Sequence, residues 1–240
     1  MSKRKILILA TTLCMVAILA VGGTLAYFTD TDAAVNVFTV GNINIDLIEQ
    51  FPKNELMPGL DVKKDVRVKN TGDNPAYVRV HIAIPQLLDS GSPEFAAYKN
   101  TLHFNFDSAS TAEGQWSWNA NKDGANYPEN GGNWNFYTET IGGIVYNVYV
   151  VTYESILAPG VQTRTAAMDN VYLDVKVTQE DMKGILEQLG EIKILVAAEG
   201  VQSQTFEEFG AYEALNTAFG NPGAYKVNWT PINNEPTKAE

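Results

Sequence analysis

Period-two alternation of apolar and polar residues runs through most of the chain and leaves room for little but antiparallel sheets. Ile43, Ile45 and Leu47 share one face of a strand, with Asn42, Asn44 and Asp46 on the other. Val66 and Val68 alternate with Arg67 and Lys69. Val78, Val80, Ile82 and Ile84 alternate with Tyr77, Arg79 and His81. Val171, Leu173, Val175 and Val177 alternate with Tyr172, Asp174 and Lys176, and Ile192, Ile194 and Val196 continue the pattern. Each reads as a half-buried strand with one wet face, so Arg79 and His81 are expected at the surface. Ile144 to Tyr153 is apolar on both faces and reads as a central strand. Turns such as Asn70-Thr71-Gly72-Asp73 separate the strands, which predicts a mainly β protein, an antiparallel β-sandwich of jelly-roll type. Pro-Gly occurs after Met57 and again after Ala158, each time as a type II turn signal leading toward a strand.

A few short peripheral helices decorate this frame. Ser92-Pro93-Glu94 has a capping serine and proline at the first helical position. Thr178 to Asp181 resembles a capping box, with Asp in place of the usual Glu or Gln, and the apolar stripe Met182, Ile185, Leu186 and Leu189 follows before Gly190. Phe206 to Phe219 is a third candidate, anchored by Phe206, Phe209, Leu215 and Phe219. Residues 107–133, rich in Gly, Asn and Ser, read as a long loop or insertion, and 233–240 as a flexible polar tail.

The first 26 residues have the three regions of a secretory signal peptide: Lys3, Arg4 and Lys5, an apolar run to Val21, and Thr24-Leu25-Ala26 before a cut between Ala26 and Tyr27. An uncleaved anchor is the alternative, because the apolar run is nearly long enough to span a bilayer. Cys14 lies inside the apolar run, so cleavage leaves no cysteine. Residues 27–232 must then hold together as one domain through their core alone. Loss of three basic residues takes the net charge from −11 to −14, which excludes a nucleic-acid partner and favours solubility.

Catalytic residue types are scarce. His81 and His103 are the only histidines and neither belongs to H-E-x-x-H. No G-x-S-x-G elbow, P-loop or dinucleotide fingerprint is present. Asn119, Asn121 and Asp123, followed by Gly124, have the oxygen spacing of a calcium loop but lack its first Asp and last Glu. They stand as a weak cation candidate, and no cofactor is expected. Trp116, Trp118 and Trp134 cluster around the long loop, where exposed indoles could stack on sugar rings or pack beneath the loop.

Several segments resemble one family. Ala26, then Tyr27-Phe28-Thr29-Asp30, then Phe38-Thr39-Val40-Gly41 resembles substrates of the specialised signal peptidase SipW of Gram-positive bacteria. Met57 to Val80, Ile156 to Gly160 and Ile194 to Phe206 are similar to segments of the TasA and camelysin family, secreted biofilm-matrix proteins with a jelly-roll fold. The resemblance implies a non-enzymatic, extracellular or cell-surface subunit that self-associates into fibres, is processed by SipW and has a possible accessory matrix partner. It implies a donor segment over residues 27–41, with Phe28, Val35, Val37 and Phe38 as anchors that fill pockets in the next subunit; pairing within its own domain is the alternative. An adhesin or carbohydrate-binding module is a second reading. A metallopeptidase, the label some camelysin relatives carry, is a third.

Overall fold

The computed structural model describes residues 35–40, 43–50, 56–89, 98–105, 116–118 and 136–229. The segments expected to hold the signal cleavage site (Ala26, Tyr27), Phe28, the capping Ser92, Trp134 and the calcium candidates Asn119, Asn121 and Asp123 lie outside the described residues.

Among the described residues, ten strands build two facing sheets. They are β1 (Val35–Val40), β2 (Ile45–Gln50), β3 (Val62–Asn70), β4 (Ala76–Pro85), β5 (Leu102–Asn105), β6 (Trp116–Trp118), β7 (Phe136–Ile141), β8 (Ile144–Tyr153), β9 (Met168–Leu173) and β10 (Leu195–Gln202). One sheet runs β1-β10-β4-β8-β6, with β7 also on β8; the other runs β2-β3-β9-β5. The antiparallel sandwich is as expected. The strand order establishes the sandwich, with β2 and β3 direct neighbours in one sheet and β1 parallel to β10 in the other; it does not by itself establish the jelly-roll type.

Between the sheets lies a single apolar core. From the first sheet it takes Val78, Val80, Ile82 and Ile84 of β4, Tyr149 and Val151 of β8, and Val196 and Ala198 of β10. Ile45, Leu47, Val62, Val66, Val68, Val171 and Leu173 face them from the second sheet. These are the residues that period-two spacing puts on one side of each strand. The expected central strand is β8, paired with β4 on one side and with β6 and β7 on the other. Two core-facing polar sites interrupt the apolar packing. Lys64, fully buried on β3, donates to Glu49 of β2. Asp89 accepts from Asn147 Nδ2 and from the Tyr149 hydroxyl, each at 2.6 Å.

The turns follow their residues. Gly59 and Gly160 both have φ of +75° after proline, and Leu60 N and Val161 N bond back to Met57 O and Ala158 O, so both Pro-Gly steps are type II turns. In the Asn70 turn the Asn70 side chain accepts from Gly72 N at 3.0 Å. A Cβ on Gly72 would come within 2.5 Å of Asn44 N, so only glycine fits there.

Helix α1 (Gln179–Leu189) has the predicted capping box between Thr178 and Asp181, and Gly190 ends it at φ +73°. Its Met182, Ile185 and Leu189 complete the main core. Two expectations need correction. The strand expected to continue through Val177 stops at Leu173. There Asp174 Oδ1 accepts from Lys176 N at 2.8 Å and Val177 N bonds Asp174 O, a turn that leads into the α1 cap and leaves Val175 exposed. The helix expected over 206–219 is split at Gly210 into a 3-10 turn (Ser203–Phe206) and helix α2 (Ala211–Phe219). Phe209, at that break, is exposed instead of anchoring the helix.

Candidate functional site

Alternation places Tyr77, Arg79, His81 and Ala83 on the outer side of β4, and Leu195, Ala197, Glu199 and Val201 on the outer side of β10. Cross-strand register sets Arg79 directly opposite Glu199. The expectation that this face is wet is overturned: Arg79 and His81 are 1% and 0% exposed. The cause lies at the far end of the chain. Helix α2 packs Ala211, Ala214 and Leu215 against Tyr77 and Val201. Residues 220–229 then cross the sheet, laying Val227 and Trp229 among Ala83, Tyr146, Val148, Leu195 and Ala197. Gly223 (φ +83°) lets the segment lie on Tyr137, where a Cβ would approach to 2.9 Å.

Beneath this cover is a closed polar network. Arg79 Nε donates to Glu199 Oε2 at 2.5 Å, Nη1 to Asn216 Oδ1 at 2.7 Å, and Nη2 to Tyr225 Oη at 2.7 Å and to Gly220 O at 3.2 Å. The Tyr225 hydroxyl donates to the Glu199 carboxylate, 2.6 and 2.8 Å from its two oxygens. His81 Nε2 lies 3.1 Å from Glu199 Oε2, and the Tyr137 hydroxyl lies 3.3 Å from His81 Nδ1. A neutral imidazole satisfies both contacts, donating from Nε2 and accepting at Nδ1. At the rim, Trp229 Nε1 donates to Glu139 of β7 at 3.1 Å.

Burial and charge act on these groups in opposite directions. Burial pushes the His81 imidazole below its usual value of 6.5, against the upward pull of Glu199. Burial alone would raise the Glu199 carboxyl. Its contacts with His81, Arg79 and Tyr225 outweigh that and hold it down to about 2, against an ordinary 4.5. The two directions compete for one proton, since an imidazole kept neutral by burial adds no positive charge beside Glu199. Arg79 supplies the permanent cation in either case, so the pair Arg79–Glu199 carries the charge balance and His81 stays neutral near pH 7. Burial likewise pushes the Tyr137 and Tyr225 hydroxyls well above the usual phenol range.

The other sequence candidates separate. His103 lies on the outer face of the second sheet, stacked on Tyr172 at 4.8 Å, with Nε2 3.3 Å from Asp174 Oδ2. The sandwich stands between it and His81, so the two histidines share no site. Among the described residues, no three His, Cys, Asp or Glu side chains come together as a metal ligand set. Trp116, a proposed sugar platform, is fully buried: its ring packs 5.1 Å from that of Tyr153 and its Nε1 donates to Thr165 O at 3.0 Å. It has no open face for a sugar. Trp118 is placed beside it on β6, paired with Val151.

Val35, Val37 and Phe38 fall on β1, the edge strand, whose backbone pairs in parallel with β10 of its own chain: Val35 with Val196, Val37 with Ala198, Phe38 with Glu199. The candidate donor strand and the buried network therefore meet on one strand, β10. Sequence reading missed Glu199, Asn216 and Tyr225. The available signals were a lone Glu within Leu195 to Val201 and the alternation Tyr225, Val227, Trp229.

Fold and site together define a β-sandwich with an N-terminal edge strand and a C-terminal cover closed over a buried ion pair. The family model of camelysin metallo-endopeptidase matches residues 2–79, which include β1 to β3 and the start of β4. The match covers the N-terminal third of the chain and is consistent with the resemblance of its sequence to the TasA and camelysin family. No curated protein matches the chain.

Proposed function

We propose that the chain is a secreted structural subunit of an extracellular matrix, and that it assembles by adding its N-terminal strand to the sheet of the next copy. The observation that carries this reading is the position of β1. It is an edge strand held by one ladder, in parallel register with β10, and among the described residues no other strand flanks it. A ladder of main-chain hydrogen bonds can be made by the same six residues of another copy, with the same register. Withdrawal of β1 opens the edge of β10, and a strand from a neighbour closes it. The family match supports the reading because it covers this strand and the segment before it. Signal removal at Ala26 would free the segment for exchange.

The test compares the chain beginning at Tyr27 with one beginning at Asn42 by light scattering and negative-stain microscopy. Filaments from the first and folded monomers from the second are expected. Folded monomers from both would refute the proposal. On this reading the protein is not an enzyme. The separation of His81 and His103 by the sandwich, and the burial of His81, support that over a peptidase that uses both histidines.

A further inference from the structure

The C-terminal cover is joined to the sheet differently from the way the sheets are joined to each other. The sandwich is held mainly by apolar packing, whereas helix α2 and residues 220–229 add to their own apolar contacts a set of polar ones to Arg79 and Glu199 of β4 and β10. Asn216, Gly220 and Tyr225 all bond Arg79, and Tyr225 also bonds Glu199. Upstream, Ser203 N is fixed to Pro75 O at 2.9 Å. Gly210, the N-cap of α2, supplies no side-chain hydrogen bond to the helix.

We propose that residues 211–229 form a clasp that mild acid opens while the sandwich beneath it stays folded. The groups that face His81 decide this. They are Arg79 on its own strand, Glu199 on β10, Tyr137 on β7 with Glu139 farther out, and Tyr225 on the clasp. Arg79 and Glu199 already neutralise each other. A proton on His81 places a second positive charge in a closed space whose one adjacent carboxylate is committed to Arg79 and Tyr225. Lifting the clasp returns His81 to water, where protonation is unopposed. The other histidine, His103, lies on the opposite sheet and does not touch the clasp. Carboxylates remain ionised between pH 6.5 and 5, so in that window the response belongs to His81.

The size follows from linkage. If His81 titrates near 6.5 when uncovered and remains neutral when covered, the opening constant rises about tenfold per pH unit below 6.5, or about 30-fold by pH 5. Hydrogen exchange of the chain from Tyr27 to Glu240, with labelling times scaled to the intrinsic rate at each pH, reads this directly. Peptides from 211–229 should lose protection about 30-fold between pH 7.5 and 5, with those of β3 and β8 unchanged. His81→Gln should reduce that change to less than about threefold. Tyr225→Phe should loosen 211–229 at pH 7.5 and leave the strands alone, which keeps the proposal testable if the first variant does not fold. A pH-independent 211–229, simultaneous loss in β3 and β8, or an unaltered pH response in His81→Gln would each overturn the proposal. It stands independently of whether β1 exchanges.

Discussion

Replacement of Glu199 by glutamine should be among the most damaging single polar changes in the protein. The carboxylate is 2% exposed and receives Arg79, Tyr225 and the His81 ring edge. These contacts hold the carboxyl well below its ordinary 4.5, so the folded chain favours the charged form. The magnitude comes from the buried cation left behind: removal of one member of a buried ion pair costs roughly 3–5 kcal/mol. That sets the cost of Glu199→Gln at about 3 kcal/mol or more, a fall in Tm of at least roughly 6 °C for a chain of this size. The sign with pH is fixed. A carboxyl held low contributes stability that is present above 4.5 and lost as pH falls toward 2. His81, also held below its ordinary value, adds a loss that begins below 6.5. The variant should therefore lack the part of acid destabilisation that the parent shows between pH 4.5 and 2. Urea unfolding at pH 7 and at a series of lower pH values measures both. A loss under about 1 kcal/mol at pH 7, or an acid profile identical to the parent's, would show that the network is not the fastening described.

Three further outcomes are expected. Trp116→Ala should cost about 3–5 kcal/mol in urea unfolding, because it empties a fully buried site beside Tyr153; a change below 1 kcal/mol would mean that the ring is not in the core. Gly72→Ala should lower stability by more than about 1 kcal/mol, since the new Cβ would meet the Asn44 backbone at 2.5 Å; an unchanged Tm would contradict that contact. Thr178→Ala removes the α1 cap and should shift the unfolding midpoint by the equivalent of about 1 kcal/mol.

Much of the frame was legible because it is written locally. The core faces of β3, β4 and β8, the Asn70 and Pro-Gly turns and the α1 capping box each follow from a few adjacent residues and a fixed period. The outer face of β4 was not legible. Arg79 and His81 alternate with valine and isoleucine in the way that solvent-facing residues do, and nothing within ten residues says that they are covered. Their partners Glu199 and Tyr225 lie 120 and 146 residues on. Polar residues can be buried when they meet complementary groups, and such meetings are set by topology and not by period. The end of β9 was misread for a related reason. Val175 and Val177 extend the alternation, but the Asp174 side chain bonds the Lys176 backbone and turns the chain first. Trp116 shows the same limit, as aromatic residues beside a polar loop fit both a platform and a plug.

The central claim is that β1 leaves its own β10 for that of another copy, and a single disulfide reports it. The chain from Tyr27 contains no cysteine, and Asn36 of β1 is paired with Ala197 of β10. In the double variant Asn36→Cys/Ala197→Cys, oxidised after assembly and run on a non-reducing denaturing gel, the account predicts a ladder of covalently linked chains from filaments and a single linked monomer from unassembled protein. Filaments that dissolve into internally linked monomers alone would show that β1 stays on its own β10, and would contradict the account.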